Sequence, residues 1–130
     1  MEEIKEKNVP AFGYELIRDH LLSSLLGKHE QEVLYWSGKD LARKFPCHST
    51  EEIEAFFQQA GWGNLTLQKY SKNEAVYHLN ETLLSESRSN RCFKLEAGFL
   101  AEQLEMMNGR MTECADDITS VAIVFTAKSE

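Results

Sequence analysis

The chain has 130 residues, of which 42% are hydrophobic and 27% charged, and its formal net charge is −7. This length suits one domain with an apolar core, so residues 1–130 are predicted to form a single domain. The acidic balance argues against a nucleic-acid partner, which requires a basic surface. No apolar run approaches the roughly 20 residues that cross a bilayer, so no membrane span is predicted.

The start of the chain, MEEIKEK, is charged and lacks the apolar segment of a signal peptide. Residues 1–9 are predicted to form a flexible N-terminal tail. Cys47, Cys92 and Cys114 are an odd number of cysteines, which does not suit a disulfide framework and is typical of a reducing compartment. These features predict a cytoplasmic protein.

A first helix is predicted at residues 12–26, where apolar residues recur at helical spacing and Gly27 ends the pattern. The stripe consists of Phe12, Leu16, Ile17, Leu21, Leu25 and Leu26. A helix this rich in leucine can have a second buried side. We therefore predict a homodimer that forms through the N-terminal helices.

Two further helices are predicted at residues 31–45 and at about 50–59. Gly38 lies inside the first of them and costs about 1 kcal/mol relative to alanine, which indicates close packing or a bend. Ser49 and Glu52 have the spacing of a capping box at the start of the second.

The pattern then changes from helical to alternating, which predicts strands at residues 65–70 and 75–79, the second extending at most to Leu83. Residues 85–91 contain no apolar residue and are predicted to form a solvated loop. A strongly apolar helix follows at 93–107 and ends at Gly109.

A second hairpin is predicted from strands at residues 110–115 and 121–126, with a turn at Asp116 and Asp117. The last strand is apolar on both faces, as is typical of a central, covered strand. The order of elements is ααα-ββ-α-ββ. It predicts an α+β fold in which helices cover one face of a four-stranded antiparallel sheet, with the 93–107 helix at the centre.

Four segments resemble one protein family. They are YELIR at 14–18, YWSGK and LARKFP at 35–46, FF with AGWG and LT at 56–66, and CF with LEAGF and AEQ at 92–103. Over residues 12–126 this pattern resembles the YslB-type proteins, an uncharacterised family from Gram-positive bacteria. The resemblance identifies a family without an established activity.

The last third of the chain is more distantly similar to the four-vinyl-reductase domain and to the small subunits of the TRAPP vesicle-tethering complex. The similarity lies in the helix start at residues 98–101 and in the glycine-led hairpin at 109–125. It implies a TRAPP-subunit-like fold, dimers that form through helices, and a hydrophobic ligand between helices and sheet. Those relatives carry further cysteines in the final hairpin, where this chain has only Cys114.

The three cysteines and His48 are the residues that could support metal or thiol chemistry. Structural zinc sites usually use paired ligands two to four residues apart, and no such pair occurs, so no metal or cofactor is predicted. Cys92 precedes a helix, whose N-terminus would favour a reactive thiolate. The interpretation we favour is that Cys92 and Cys114 are small, buried thiols.

Large aromatic side chains near small residues either leave a slot for an apolar ligand or interlock into a filled core. The candidate ligand-binding residues are Trp36, Phe56, Trp62, Cys92 and Phe99. The sequence thus favours a non-enzymatic cytoplasmic homodimer that holds an apolar small molecule between helices and sheet. One alternative is a protein–protein adaptor with a filled core, and another is a thiol or metal enzyme using Cys92 and Cys114.

Overall fold

A computed structural model of the chain describes residues 8–80 and 91–130. Residues 1–7 of the predicted tail lie outside the described residues. The predicted extension of the second strand to Leu83 and all but the last residue of the predicted loop at 85–91 also lie outside them.

The helical bounds agree closely with the predictions. The helices are α1 (Ala11–Glu15), a π-helical segment (Leu16–Leu21), α2 (Leu22–Leu26), a 3-10 turn (Gly27–His29), α3 (Glu30–Lys44), α4 (Thr50–Gln59) and α5 (Lys94–Asn108). The first three segments, α1, the π-helical segment and α2, run continuously, with helical backbone angles at Leu16 and Leu22. Together they are called the N-terminal helix below. No helix within residues 8–80 and 91–130 combines the length and apolar character needed to cross a bilayer.

Four antiparallel strands form one sheet in the order β1-β2-β4-β3. They are β1 (Asn64–Tyr70), β2 (Glu74–Asn80), β3 (Thr112–Ile118) and β4 (Ile123–Ser129). Helix α5 lies between the two hairpins in sequence, and the crossing places β4 beside β2. The predicted α+β fold with a four-stranded antiparallel sheet is confirmed.

The second hairpin turns later than the sequence predicted. Asp116 and Asp117 lie inside β3 and pair with β4, so the predicted turn there is wrong. The chain reverses at residues 119–122, where the Thr119 hydroxyl donates to the Ala122 carbonyl at 2.7 Å. This hydrogen bond stabilises the turn at residues 119–122. Asp116 and Asp117 therefore remain paired with β4 in the sheet.

Strand β4 is central in the sheet but is covered on one face only. Ile123, Phe125 and Ala127 are buried beneath the helices, whereas Val124 and Thr126 on the opposite face are half-buried. The prediction of a strand covered on both faces was therefore half right.

Helix α5 forms the centre of the core, as predicted, and ends at Gly109 in the left-handed conformation. Its buried residues are Glu96, Ala97, Gly98, Phe99, Leu100, Ala101, Gln103 and Leu104. The Gln103 amide donates to the Phe45 carbonyl at 2.8 Å and accepts from the Cys47 N–H at 2.9 Å. These bonds satisfy the backbone where α3 ends.

Helices α3 and α5 cross in backbone contact at two glycines. A Cβ at Gly38 would lie 2.7 Å from the Phe99 nitrogen, and a Cβ at Gly98 would lie 2.9 Å from the Tyr35 carbonyl carbon. Real side chains essentially never approach backbone this closely. The predicted reason for Gly38, close packing, is confirmed.

The Ser49 half of the capping box predicted at α4 is confirmed, and Glu52 bonds the N–H one residue before the predicted one. The Ser49 hydroxyl accepts from the Glu52 N–H at 3.2 Å. The Glu52 carboxylate in turn accepts from the His48 N–H at 3.0 Å, which lowers the pKa of Glu52. The backbone N–H groups of His48 and Glu52, at the start of α4, thus have hydrogen-bond acceptors.

Candidate functional site

The N-terminal helix has its charged and apolar residues in the reverse of their usual places. Its three charged residues, Glu15, Arg18 and Asp19, are buried. Its predicted apolar stripe is largely exposed, with Phe12 at 63% and Leu25 at 70% near the two ends. The other exposed members of that stripe are Leu16, Ile17 and Leu21. Because a helix usually buries its apolar stripe, this arrangement needs an explanation.

The π-helical segment explains how the two faces stay separate. The exposed positions recur every four residues and are 12, 13, 16, 17, 20, 21, 24 and 25. An α-helix has 3.6 residues per turn, so positions four apart rotate progressively around its axis. A π-helix has more than four residues per turn, so positions four apart rotate around its axis in the opposite direction. The outward residues therefore stay in two rows on one side, opposite an inward side that includes Tyr14, Glu15, Arg18 and Asp19.

Arg18 anchors the inward side of this helix to the start of α5. Its Nη2 donates to Glu96 Oε1 at 2.5 Å and to the Cys92 carbonyl at 2.9 Å. Its Nη1 donates to the Tyr14 hydroxyl at 2.5 Å. Arg18 is 2% exposed and Glu96 is fully buried. Burial acts to lower the pKa of Arg18, but Glu96 and Tyr14 outweigh it and raise that pKa, so the charge is held.

A second buried ion pair lies beside the first. Arg91 donates to the two carboxylate oxygens of Asp19 at 2.6 and 2.9 Å, and its guanidinium lies 5.3 Å from the centre of the Tyr14 ring. Burial acts to lower the pKa of Arg91, and the hydrogen bond and charge of Asp19 more than compensate and raise it. The N-terminal helix is therefore joined to residues 91–96 by two buried ion pairs.

The outward face carries no acidic or basic residue between Ala11 and Gly27, apart from His20. All the Asp, Glu, Lys and Arg side chains of that stretch point inward. A shallow groove of about 410 Å³ runs along it and is lined by Leu16, Ile17, His20, Leu21 and Ser24. Depletion of charge is what distinguishes the core of a protein interface from ordinary surface.

Three of the five predicted ligand-binding residues come together in one aromatic cluster. Phe56 and Phe99 stack with ring centres 4.5 Å apart. Trp62 meets both edge-on, at 5.5 and 5.4 Å. Phe57 and Phe45, which the prediction omitted, complete the cluster. These rings contact one another directly.

The other two predicted residues lie elsewhere. Trp36 is 62% exposed on the outer face of α3, where it lines a shallow groove with Val33 and Asp40. Cys92 lies before α5, and its carbonyl accepts from Arg18. The prediction of one pocket that includes all five residues therefore does not match their placement.

All three cysteines are thiols with raised pKa values. Burial raises the pKa of Cys47 to about 11 and also raises that of Cys92 and Cys114. At Cys92, burial outweighs the backbone hydrogen bond of Lys94, which acts to lower the pKa. Within the described part of the chain, no group of three or more His, Cys, Asp and Glu side chains could hold a metal ion.

A shallow cleft of about 360 Å³ lies between α3 and strand β3. Its lining residues are Gln31, Glu32, Tyr35, Lys94, Glu113 and Cys114. The Tyr35 hydroxyl donates to the Glu113 carboxylate and accepts from the Cys114 N–H at 3.1 Å. Burial, followed by the bond to Glu113, raises the pKa of Tyr35, so the phenol stays protonated.

Sequence spacing could have revealed the inverted helix. Tyr14, Glu15, Arg18 and Asp19 repeat at an interval of four on the side opposite the leucines. A polar side of this kind is usually taken for a solvated surface. Its true partners, Arg91 and Glu96, are more than 70 residues away, and no local pattern connects them to the first helix.

Two solved structures share this fold. A vinyl-4-reductase family protein from Methanocaldococcus jannaschii has a TM-score of 0.72 at 17% identity, covering 97% of this chain and 85% of that one. The phenol-responsive sensory domain of the transcription activator PoxR, solved with phenol, has a TM-score of 0.65 at 12% identity. That match covers 98% of this chain and 78% of the PoxR chain. At such identities the similarity concerns the fold alone.

Sequence similarity identifies the family. The chain is 41% identical over 133 residues to "Uncharacterized protein YslB" of Bacillus subtilis (strain 168), with 98% of this chain and 90% of that protein covered. Residues 11–128 match the family described as "Protein of unknown function (DUF2507)". The predicted resemblance is confirmed, and the chain belongs to the DUF2507 family.

Proposed function

We propose that this protein is a non-enzymatic domain that works as a homodimer, with subunits joined through the outward face of the N-terminal helix. The observation that carries the proposal is the reversal of that helix. Five large apolar side chains are exposed while its three charged side chains are buried. A sequence that buries charges and exposes leucines on one helix is favoured when the leucines are covered by another molecule.

The energetics support pairing only if most of the face is covered at once. Burying a fully exposed large apolar side chain contributes about 1.5–3 kcal/mol. The five side chains are about half exposed, so covering them on two subunits contributes on the order of 10 kcal/mol. Association costs about 4–15 kcal/mol in lost freedom. A partial overlap would leave too little to hold two copies together.

The chemistry of the face favours a second copy over a lipid surface. Helices that lie on membranes usually place lysine and arginine beside their apolar face. Here the nearby charges point inward, and the chain as a whole is acidic. An uncharged strip on an acidic protein suits a partner that presents the same uncharged strip.

Replacing Ile17 and Leu21 by glutamate should convert the dimer into a monomer, because four carboxylates would then have to be desolvated in one interface. We expect dissociation to become at least about 100-fold easier in sedimentation velocity. Val121→Glu is the matched control, since Val121 is 75% exposed and lies in the turn between β3 and β4, outside the outward face. A parent chain that remains monomeric at about 100 μM, near the weak limit of specific pairing, would reject the proposal.

As a second function, we propose that the cleft between α3 and β3 holds a small aromatic molecule. Its volume of about 360 Å³ falls within the range of small-molecule sites. The PoxR sensory domain, which has a similar fold, was solved with phenol. A phenol-sized ring would lie between helices and sheet beside Tyr35 and Cys114, away from the filled aromatic cluster.

This second function can be tested by calorimetric titration with phenol. Gln31→Trp should fill the cleft and abolish the binding of phenol, whereas Gln58→Trp, also on an exposed helix face, should leave it unchanged. No heat from the parent chain at millimolar phenol, or equal binding by both variants, would contradict the proposal.

A further inference from the structure

The outward face of the N-terminal helix is symmetric about the midpoint of the π-helical segment, between Arg18 and Asp19. Reflection through that point carries every outward position from 12 to 25 onto another outward position. It exchanges Phe12 with Leu25, Leu16 with Leu21, Ile17 with His20, and Gly13 with Ser24. Large residues are exchanged with large ones, and the two smallest with each other.

From this symmetry we propose that two copies pair with their N-terminal helices antiparallel, so that residue i of one subunit faces residue 37 − i of its partner. The inference rests on the homodimer proposed above and specifies its geometry. A two-fold interface is self-complementary by definition, because the same patch is used twice. Antiparallel helices on a two-fold axis require a reflected pattern of this kind.

Neighbouring registers cover the face less well. A shift by one four-residue step in one direction places Phe12 opposite the partner's polar turn at Lys28 and His29. The same shift in the other direction places Leu25 opposite Asn8. Phe12 and Leu25 are the two most exposed side chains of the stripe. The midpoint register is the one of these three that covers both.

The π-helical segment makes the long contact geometrically feasible. In a plain α-helix, each four-residue step would turn the outward rows by about 40°, which adds up to about 120° from position 12 to position 24. Such rows would lose contact with a straight partner within two turns. The π-helical segment at Leu16–Leu21 counteracts this rotation at the centre of the face. Gly13 and Ser24 then allow the backbones to approach at both ends.

Mixing two chains that each carry one added cysteine distinguishes the registers. Leu16→Cys and Leu21→Cys are purified separately, mixed under mild oxidation, and analysed for covalent dimers. A disulfide requires Cα atoms about 4.4–6.8 Å apart, so only facing positions react efficiently. The proposal expects the mixture to cross-link at least about tenfold faster than either chain alone. The parent chain, with its three native cysteines, is the blank.

Leu16→Cys mixed with Leu25→Cys tests the shifted register, because four residues displace the thiol by about 6 Å along the helix. If that mixture cross-links faster than the mixture of Leu16→Cys and Leu21→Cys, or if Leu16→Cys alone cross-links as fast as that mixture, the antiparallel midpoint register is overturned while the dimer stands. Sedimentation of the unoxidised chains separates the two conclusions. A monomer throughout would remove the homodimer and this inference together.

Discussion

Gly98→Ala is expected to lower the free energy of unfolding by about 3 kcal/mol, the upper end of the usual cost of overpacking a core. The new methyl group would overlap the Tyr35 carbonyl, which belongs to the backbone of α3 and cannot rotate away. Helices α3 and α5 would have to separate along their whole contact, and Phe99 would leave its stacked position against Phe56. Against a total stability of about 5–15 kcal/mol, that loss is large.

Gly13→Ala provides the matched control in chemical denaturation. Gly13 is also helical, but no atom lies within 4 Å of its hypothetical Cβ. Alanine there should raise the stability of the separate subunit by about 0.5–1 kcal/mol through helix propensity. Both variants are compared at a concentration at which the parent chain is monomeric, because Gly13 also lies on the proposed dimer face. If Gly98→Ala and Gly13→Ala shift the denaturation midpoint in the same direction, the close crossing of α3 and α5 is refuted.

Glu96→Gln is expected to cost about 3–5 kcal/mol, because it leaves the Arg18 guanidinium buried without a counter-charge. The amide keeps the size of the carboxylate, so the loss reflects charge and not a cavity. The remaining acceptors of Arg18, the Tyr14 hydroxyl and the Cys92 carbonyl, are neutral. The N-terminal helix should become the first part of the domain to exchange its amide hydrogens.

Two further variants make the Glu96 result interpretable. Asp40→Asn removes a charge from the exposed pair with Lys44 and should change stability by less than about 1 kcal/mol. Arg18→Met combined with Glu96→Leu replaces the buried pair by apolar groups and should recover most of the loss. Equal effects of Glu96→Gln and Asp40→Asn would show that the buried pair does not hold the helix.

The fold was largely predictable because its signals are local. Helical spacing, the Ser49 cap and the Gly109 stop depend on residues within one or two turns of each other. The shift of the second hairpin turn shows the limit of such signals. Asp116 and Asp117 resemble turn residues, but pairing with β4 decided their conformation.

The candidate site was predicted less well because it depends on which elements meet. The sequence identified Phe56, Trp62 and Phe99 as a group, and packing brought them together. The sequence-based prediction also placed Trp36 and Cys92 in this group, although Trp36 points from α3 towards solvent. The direction of a helix face is set by its neighbours, which periodicity within that helix does not specify.

By itself the sequence determined the family, the α+β class and the order of elements, because each follows from patterns that short stretches of chain carry. Only the tertiary structure decided which side of the N-terminal helix faces inward. That choice depends on Arg91 and Glu96, which are distant in sequence and can stabilise the charges of Asp19 and Arg18 when the chain is folded. If the helix buried its leucines instead, Arg91 and Glu96 would remain buried without partners. That costs more free energy than leaving the leucine side chains exposed, so the ion pairs outweigh the usual preference for burying leucine.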